Sequence, residues 1–254
     1  MTHLMPRWPS FLLCLLTVLI AISVIQRAGL AATDGWPEMR AAMVQTIKGY
    51  AATLPKTAGT GGISDTVLKV MSEVPRHRFV PKRVEHRAYQ DRPLPIGHGQ
   101  TISQPLIVAL MTELLMVNRD ATVLEIGTGS GYQAAVLARL ADTVCTIEII
   151  PELADTATGR LKGLGFDNVQ TMVGDGYFGW PDCGPFDGII VTAAAGHVPP
   201  PLVKQLRPGG RMVIPIGGVF GPQYLTLIEK TASGELETRQ LLPVRFVPFT
   251  RASP

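Results

Sequence analysis

Apolar residues follow two different periods along this chain. From Thr122 onward, short apolar runs typical of buried strands alternate with amphipathic stretches typical of helices. This alternation predicts an α/β domain whose mostly parallel central sheet carries helices on both faces. The predicted strands are Thr122–Ile126, Thr143–Ile147, Val169–Val173, Phe186–Thr192 and Gly210–Ile216, and the helices between them are Tyr132–Leu140, Pro151–Leu164 and roughly Pro201–Leu206.

Both flanks of this region have a different pattern. Upstream, helices are predicted at Trp36–Tyr50, Asp65–Val74 and Pro105–Leu115, and Arg76–Gly99 is predicted to be irregular. Downstream, Tyr224–Lys230 and Leu241–Val247 read as strands joined by a hairpin-like turn, which predicts an antiparallel C-terminal pair. We therefore expect an N-terminal helical cover over about 36–120 and the sheet over about 121–254.

The first 31 residues are a separate segment. Phe11–Ile25 is apolar, Arg7 precedes it, and small residues follow at Gly29–Ala31. This layout is typical of a signal peptide, and the flanks could extend it into a membrane anchor. A third possibility is that translation starts at Met39 or Met43. The first two readings place the domain, 32–254, in the periplasm or at the membrane, and the third places it in the cytoplasm.

Composition excludes several function classes. The net charge of the 254 residues is only +3, and no basic run is interleaved with aromatic residues, so we expect no nucleic-acid partner. The three cysteines do not form a disulfide framework, and Cys145 falls in a predicted buried strand. The five histidines have no metal-ligand spacing, so no metal site is predicted.

A glycine-rich turn follows the first strand of the sheet. Gly127, Gly129 and Gly131 stand at alternate positions between Thr122–Ile126 and the next helix. Glycine allows positive φ angles and has no Cβ, so a ligand can lie against the main chain there. The spacing is neither the dinucleotide G-x-G-x-x-G nor a nucleoside triphosphate loop. It resembles the S-adenosylmethionine loop of class I methyltransferases.

Ligands of such sheets bind outside the carboxyl ends of the strands. Glu148 ends the second strand, where its carboxylate could accept hydrogen bonds from both ribose hydroxyls, and Asp175 could accept one from an adenine amino group. The predicted residues that bind S-adenosylmethionine are Glu125, Gly127, Thr128, Gly129, Gly131, Tyr132, Glu148, Asp175 and Gly176.

Further segments match one family in order from about Ile63 to the end. They are Val74–Pro81, Pro93–Pro105, Leu124–Ala135, Gly174–Gly176, Pro185–Ala194 and Val244–Pro248. Together they resemble the protein-L-isoaspartate O-methyltransferases, and the Gly-Gln-Thr-Ile-Ser-Gln-Pro stretch ending at Pro105 is the most specific. The resemblance implies a Rossmann-like class I methyltransferase fold.

The resemblance also implies a reaction. This family methylates the α-carboxylate of L-isoaspartyl residues in damaged proteins and peptides, which starts their repair to aspartyl residues through a succinimide. Ser103 corresponds to the family's active-site serine, and we expect it to orient the carboxylate. Thr101, Ile102, Thr192 and Ala193 are the expected substrate contacts. Such a carboxylate is already ionised at neutral pH, so a general base would add little.

Two alternatives remain at this stage. One is a small-molecule O- or N-methyltransferase of the same fold, although the small uncharged residues Thr192–Ala195 suit an anionic acceptor. The other is an exported binding module without catalytic turnover. Methyl transfer to an isoaspartyl peptide but not to its aspartyl twin would exclude both. We expect a monomer that contacts membranes only through the N-terminal segment.

Overall fold

A seven-stranded sheet forms the centre of the molecule. The computed structural model describes residues 35–54, 59–218 and 220–252. The strand order is β5-β4-β3-β6-β7-β8-β9, in which β3 to β7 are parallel and β8 and β9 are antiparallel additions at one edge. The strands are β3 Thr122–Ile126, β4 Thr143–Glu148, β5 Val169–Val173, β6 Phe186–Val191, β7 Leu206–Gly217, β8 Gln223–Lys230 and β9 Leu236–Val244. The predicted fold class is confirmed.

Helices flank the sheet and precede it. Each of α3, α5 and α6 has a proline in its first turn, which suits the fixed φ angle of that residue. Ser64 caps α2 by accepting a hydrogen bond from the Val67 amide at 3.3 Å. The helices are α1 Trp36–Ala51, α2 Asp65–Glu73, α3 Pro105–Leu115, α4 Tyr132–Leu137, α5 Pro151–Gly163 and α6 Pro200–Gln205.

The core lies on both faces of the parallel strands. Val123 and Leu124 are consecutive residues of β3, so their side chains lie on opposite faces of the sheet, and both are completely buried. Strands covered on both faces read as continuous apolar runs. This explains why β3, β4 and β6 were located correctly from the sequence.

Several details differ from the sequence-based expectations, among them β7, which begins at Leu206 rather than at Gly210. A short antiparallel hairpin, β1 Leu94–Gly97 and β2 Gln100–Ile102, lies partly in the segment expected to be irregular. The last strand ends at Val244 rather than Val247, because β9 starts directly after the turn and pairs with β8 from Leu236 onward. Helix α4 ends at Leu137, three residues early.

The cysteines also differ from expectation. Cys145 on β4 and Cys183 in the loop before β6 form a disulfide, with Cα atoms 6.7 Å apart. The sequence analysis expected no disulfide framework, and it did not predict this single bond. Thirty-eight residues separate the pair, and only the packing of that loop against the sheet brings the two sulfurs together.

The chain divides into two units, Met1–Glu38 and Met39–Pro254. The first contributes only residues 35–38 to the described structure, so the predicted leader at 1–31 lies outside the described residues. No helix within the described ranges is both long and apolar enough to span a bilayer.

Candidate active site

The glycine loop adopts the conformation that its sequence predicts. Gly127, Gly129 and Gly131 have φ angles of +93°, +52° and +85°. A Cβ on Gly127 would collide with Oγ1 of Thr192, at the carboxyl end of β6. That hydroxyl donates to the carbonyl oxygens of Gly127 at 2.7 Å and Ile126 at 3.0 Å. The loop is therefore held against β6 at the point where the strand order reverses, which is the ligand-binding position in such sheets.

Glu148 lies beside this loop at the end of β4. One carboxylate oxygen accepts from the Gly129 amide at 2.7 Å, and the other accepts from the Ile150 amide at 3.0 Å. The side chain is nearly buried and lines the same cavity as Gly127. Because each carboxylate oxygen can accept more than one hydrogen bond, the predicted bonds from ribose hydroxyls remain available.

Glu125 is a completely buried carboxyl group below the loop. Burial raises its pKa from 4.5 to about 8, opposed by a hydrogen bond from the Thr146 hydroxyl and assisted by the charge of Glu148. Its Oε1 has no partner in hydrogen-bonding geometry among the described residues, although the Ala134 amide is near enough to the carboxyl group to act against the rise in pKa. A buried acceptor without a partner is costly, so this atom fits a donor supplied by a ligand.

Three cavities meet between the loop and β2. The first is lined by Gly127, Gly129 and Glu148, the second carries Ser103, and the third is a small pocket that reaches Glu125. Thr101 and Thr192 line all three. These two residues therefore mark the junction between a cavity suited to a nucleoside and a separate groove.

The groove holds three of the five residues predicted to contact the acceptor, namely Thr101, Ser103 and Thr192. The hydroxyls of Thr101 and Ser103 make no hydrogen bond to any described residue, so both are available to a ligand. The end of β9 and the segment after it also line the groove, and Arg245 is the only charged residue among the described residues of this lining. The groove therefore combines free hydroxyl donors with one cation, which suits an anionic ligand.

Asp175 has a different environment from the other predicted cofactor residues. Nε of Arg251 donates to both carboxylate oxygens, at 3.1 and 2.8 Å, and the Arg251 guanidinium stacks 3.7 Å from the ring centre of Tyr177. Burial acts to raise the pKa of Asp175, but the hydrogen bonds from Arg251 and two backbone amides hold it below its usual value. The adenine contact predicted for Asp175 stays a prediction.

The remaining predicted residues fall into distinct places. Gly176 and Ala193 line the nucleoside cavity, so Ala193 lies on the cofactor side rather than in the groove. Ile102, Thr128 and Tyr132 line the small pocket. Gly131 precedes α4, where a Cβ would press on Leu161, and it lines none of the three cavities.

Sequence reasoning missed the C-terminal contribution to this site. Val247 to Thr250 line the nucleoside cavity, and Pro243 to Val247 line the groove. The signal was present, because Val244–Pro248 was one of the segments that matched the family. It carried no motif of known chemistry, so no role was assigned to it.

The site fits S-adenosylmethionine. The glycine loop leaves bare main chain at the cavity, Glu148 offers acceptors for a ribose, and the unpartnered Oε1 of Glu125 offers an acceptor for an ammonium group. No group of three or more His, Cys, Asp or Glu side chains that could hold a metal ion occurs in the part of the chain that the structure describes.

Solved structures with similar folds include methyltransferases. One of them is named protein-L-isoaspartate O-methyltransferase and gives a TM-score of 0.73 at 31% sequence identity. The superposition covers 82% of this chain and 65% of that protein chain. Another, a Plasmodium falciparum protein in complex with S-adenosyl-L-homocysteine, gives 0.68 at 24% identity and covers 83% of this chain and 98% of its own. The second likeness concerns the fold alone.

Sequence relatives are closer. A Syntrophobacter fumaroxidans protein named protein-L-isoaspartate O-methyltransferase 2 is 56% identical over 220 residues, 87% of this chain and 89% of that protein. A Nitrosospira multiformis protein named protein-L-isoaspartate O-methyltransferase 1 is 64% identical over 184 residues, 72% of this chain and 78% of that protein. The family model described as protein-L-isoaspartate(D-aspartate) O-methyltransferase matches residues 54–253. The chain therefore belongs to the protein-L-isoaspartate(D-aspartate) O-methyltransferase family.

Proposed function

We propose that this chain transfers a methyl group from S-adenosylmethionine to the α-carboxylate of L-isoaspartyl residues in damaged proteins and peptides. The ester so formed starts their repair to aspartyl residues through a succinimide. The observation that carries the proposal is the junction at Thr101 and Thr192, where the nucleoside cavity opens onto a groove that contains Ser103.

The nucleoside cavity and the small pocket would hold the methyl donor. Glu148 would accept from the ribose, the loop at Gly127–Gly131 would support the main body of the ligand, and Glu125 would accept from its ammonium group. When bound, S-adenosylmethionine supplies an electrophilic methyl group on a sulfonium centre that is also the leaving group. The protein therefore needs to supply neither a metal ion nor a covalent nucleophile.

The groove holds the acceptor. An acceptor carboxylate has a pKa of about 4 and is ionised at neutral pH, so no proton has to be removed before it attacks the methyl carbon. Removing this anion from water is costly unless hydrogen bonds replace the lost hydration. The hydroxyls of Thr101 and Ser103 supply such bonds, and the charge of Arg245 attracts the anion into the groove.

Rate acceleration in this arrangement comes from positioning. Aligned reactants gain effective molarities of about 10⁵ to 10⁸ M, and the hydroxyls that hold the acceptor fix one of the two partners. We assign Ser103 no nucleophilic role, because none of the described residues that line the groove is a histidine, lysine or carboxylate. Glu125 shares the small pocket with Ser103, but its carboxyl group accepts a hydrogen bond from Thr146 and none from the Ser103 hydroxyl.

A pair of peptides tests the function. Two peptides of identical sequence, one with an L-isoaspartyl and one with an L-aspartyl residue, are incubated with labelled S-adenosylmethionine. We expect label only in the isoaspartyl peptide. Equal labelling of both, or none in either, would overturn the proposal.

A serine variant tests the role assigned to the groove. Ser103→Ala removes one hydrogen bond to the charged acceptor carboxylate. We therefore expect kcat/KM for the isoaspartyl peptide to fall by about tenfold to a hundredfold, with cofactor affinity nearly unchanged. The matched control is Ser72→Ala, on the exposed face of α2. If cofactor affinity collapsed in Ser103→Ala, the serine would belong to the cofactor site instead.

For the compartment, we propose export directed by the N-terminal apolar segment. The disulfide between Cys145 and Cys183 supports this, because disulfides persist in oxidising compartments. N-terminal sequencing of the mature protein is the test. A start near Ala32 supports export and an intact Met1 supports anchoring, whereas a start near residue 39 or 43 would contradict the proposal.

A further inference from the structure

We propose that Arg76 is a positioning residue for methyl transfer. It fixes residues 101–104, here called the acceptor segment, relative to the end of the glycine loop. The inference rests on the proposed function and assigns a role to a residue outside the cavities described above. Arg76 belongs to a 3₁₀ turn at Arg76–Phe79, between α2 and the β1–β2 hairpin.

Two hydrogen bonds tie Arg76 to the acceptor segment and its surroundings. Nη2 donates to the carbonyl oxygen of Ser103 at 2.7 Å, and Nε donates to the carbonyl oxygen of Ala88 at 2.8 Å. The side chain is completely buried. The bond to Ala88 holds the guanidinium in place, and the bond to Ser103 fixes the backbone of that residue. The Ser103 side chain, with its hydroxyl group, therefore starts from a fixed point of the main chain.

The same guanidinium also contacts the cofactor side. Its central carbon lies 4.8 Å from the ring centre of Tyr132, the residue directly after Gly131 and the first of α4. Tyr132 is itself buried, and its ring packs against the Phe79 ring in a T-shaped arrangement with the ring centres 5.5 Å apart. One rigid planar group therefore touches both the segment that holds the acceptor and the end of the loop that holds the donor.

The electrostatics of Arg76 indicate a role beyond stability. Burial lowers its pKa to about 10, opposed by Tyr132 and Asp91, so the group is still charged at neutral pH. No acceptor among the described residues lies within hydrogen-bonding geometry of its Nη1, although the Tyr132 hydroxyl is near enough to raise the pKa of the guanidinium. A buried charge costs stability unless it is paired, and apolar side chains often fill such positions equally well. An apolar side chain could not donate the hydrogen bond that Arg76 makes to the carbonyl oxygen of Ser103.

Arg160 offers a matched control. Nη1 of this arginine donates to the carbonyl oxygen of Ser130 at 2.6 Å, and its guanidinium lies 5.9 Å from the ring centre of Phe79. Arg160 thus supports the glycine loop from α5 but bonds to no residue of the acceptor segment. Its substitution should affect the donor site and leave the acceptor segment in place.

The experiment compares R76K, R76Q and R160K with the wild-type chain. The measurements are thermal unfolding, the Kd of S-adenosylhomocysteine, kcat and KM for an isoaspartyl peptide, and amide hydrogen exchange. Lysine keeps the charge and glutamine keeps an amide donor, but neither keeps the planar fork. Displacements of about 1 Å at a reacting centre cost up to about a hundredfold in rate.

We expect R76K to lower kcat by about tenfold to a hundredfold, while the Kd of S-adenosylhomocysteine changes by less than about threefold. Amides of residues 101–104 should exchange faster, and those of 127–132 should not. R160K should raise that Kd, and its loss of kcat at saturating cofactor should be smaller than that of R76K.

The inference is overturned if R76K retains full kcat, if its loss of kcat matches its loss of cofactor affinity, or if neither R76K nor R76Q folds. In the last case Arg76 would be a structural residue only. Failure of the proposed function has a different signature, because the wild-type chain would then not methylate the isoaspartyl peptide at all. Hydrogen exchange would still decide whether Arg76 fixes residues 101–104.

Discussion

The buried carboxyl group of Glu125 makes the stability of this protein depend on pH in a calculable way. Its pKa rises from 4.5 in the unfolded chain to about 8 in the folded one, chiefly because burial disfavours the charged form. The folded chain therefore keeps a proton that the unfolded chain releases. Its stabilising effect is complete below pH 4.5 and is lost as the pH rises through 8.

The size of this effect follows from the two pKa values. Each unit of difference corresponds to about 1.4 kcal/mol, so the full shift is worth about 5 kcal/mol. Between pH 5 and pH 9 the free energy of unfolding should fall by about 4 kcal/mol through this one group. Glu125→Gln has nearly the same shape and does not titrate, so it should lack this loss.

The assay is urea unfolding of the wild-type chain and Glu125→Gln at intervals from pH 5 to pH 9. Titrating groups distant from residue 125 are common to both chains and cancel in the difference between their free energies of unfolding, which leaves Glu125 together with its coupling to Glu148. We expect the variant to gain about 4 kcal/mol relative to the wild type over this range. A difference that stays constant with pH would refute the reasoning, because Glu125 would then titrate at an ordinary pKa in the fold.

Two further predictions concern the disulfide and the glycine loop. Reduction of the bond between Cys145 and Cys183, which are 38 residues apart, should lower the free energy of unfolding by about 4 kcal/mol through loop entropy. Equal urea midpoints for oxidised and reduced chains would contradict this. Gly127→Ala should raise the Kd of S-adenosylhomocysteine at least about tenfold, because its Cβ would collide with Thr192 at a backbone angle that disfavours side chains. Gly49→Ala, which faces open space on α1, should leave that Kd unchanged in the same titration.

Features that depend on neighbouring residues were predictable from the sequence. Strand β3, the glycine turn after it and Glu148 at the end of β4 follow from local hydrophobic period and backbone freedom. The glycine turn and Glu148 lie at the same edge of the sheet because β3, β4 and β6 pair in parallel, which brings their carboxyl ends together. The cofactor side of the site therefore needed little more than the order of elements.

Contacts between distant segments were decided only by the tertiary structure. Arg251 reaches Asp175 across 76 residues of sequence, and Arg76 reaches Ser103 across 27. The disulfide between Cys145 and Cys183 is of the same kind. Each pairing depends on loop paths and side-chain directions, which hydrophobic period does not encode.

The sequence by itself thus determined the strand-turn-helix order and the loop that receives the methyl donor, because hydrogen bonds and steric limits within a few residues set both. Only the tertiary structure decided which segments line the groove and that Arg251 is a hydrogen-bond partner of the Asp175 carboxylate. It also showed that Glu125 is buried without a partner for one oxygen. These outcomes depend on how far each group is removed from water, and that is set by packing of the whole chain.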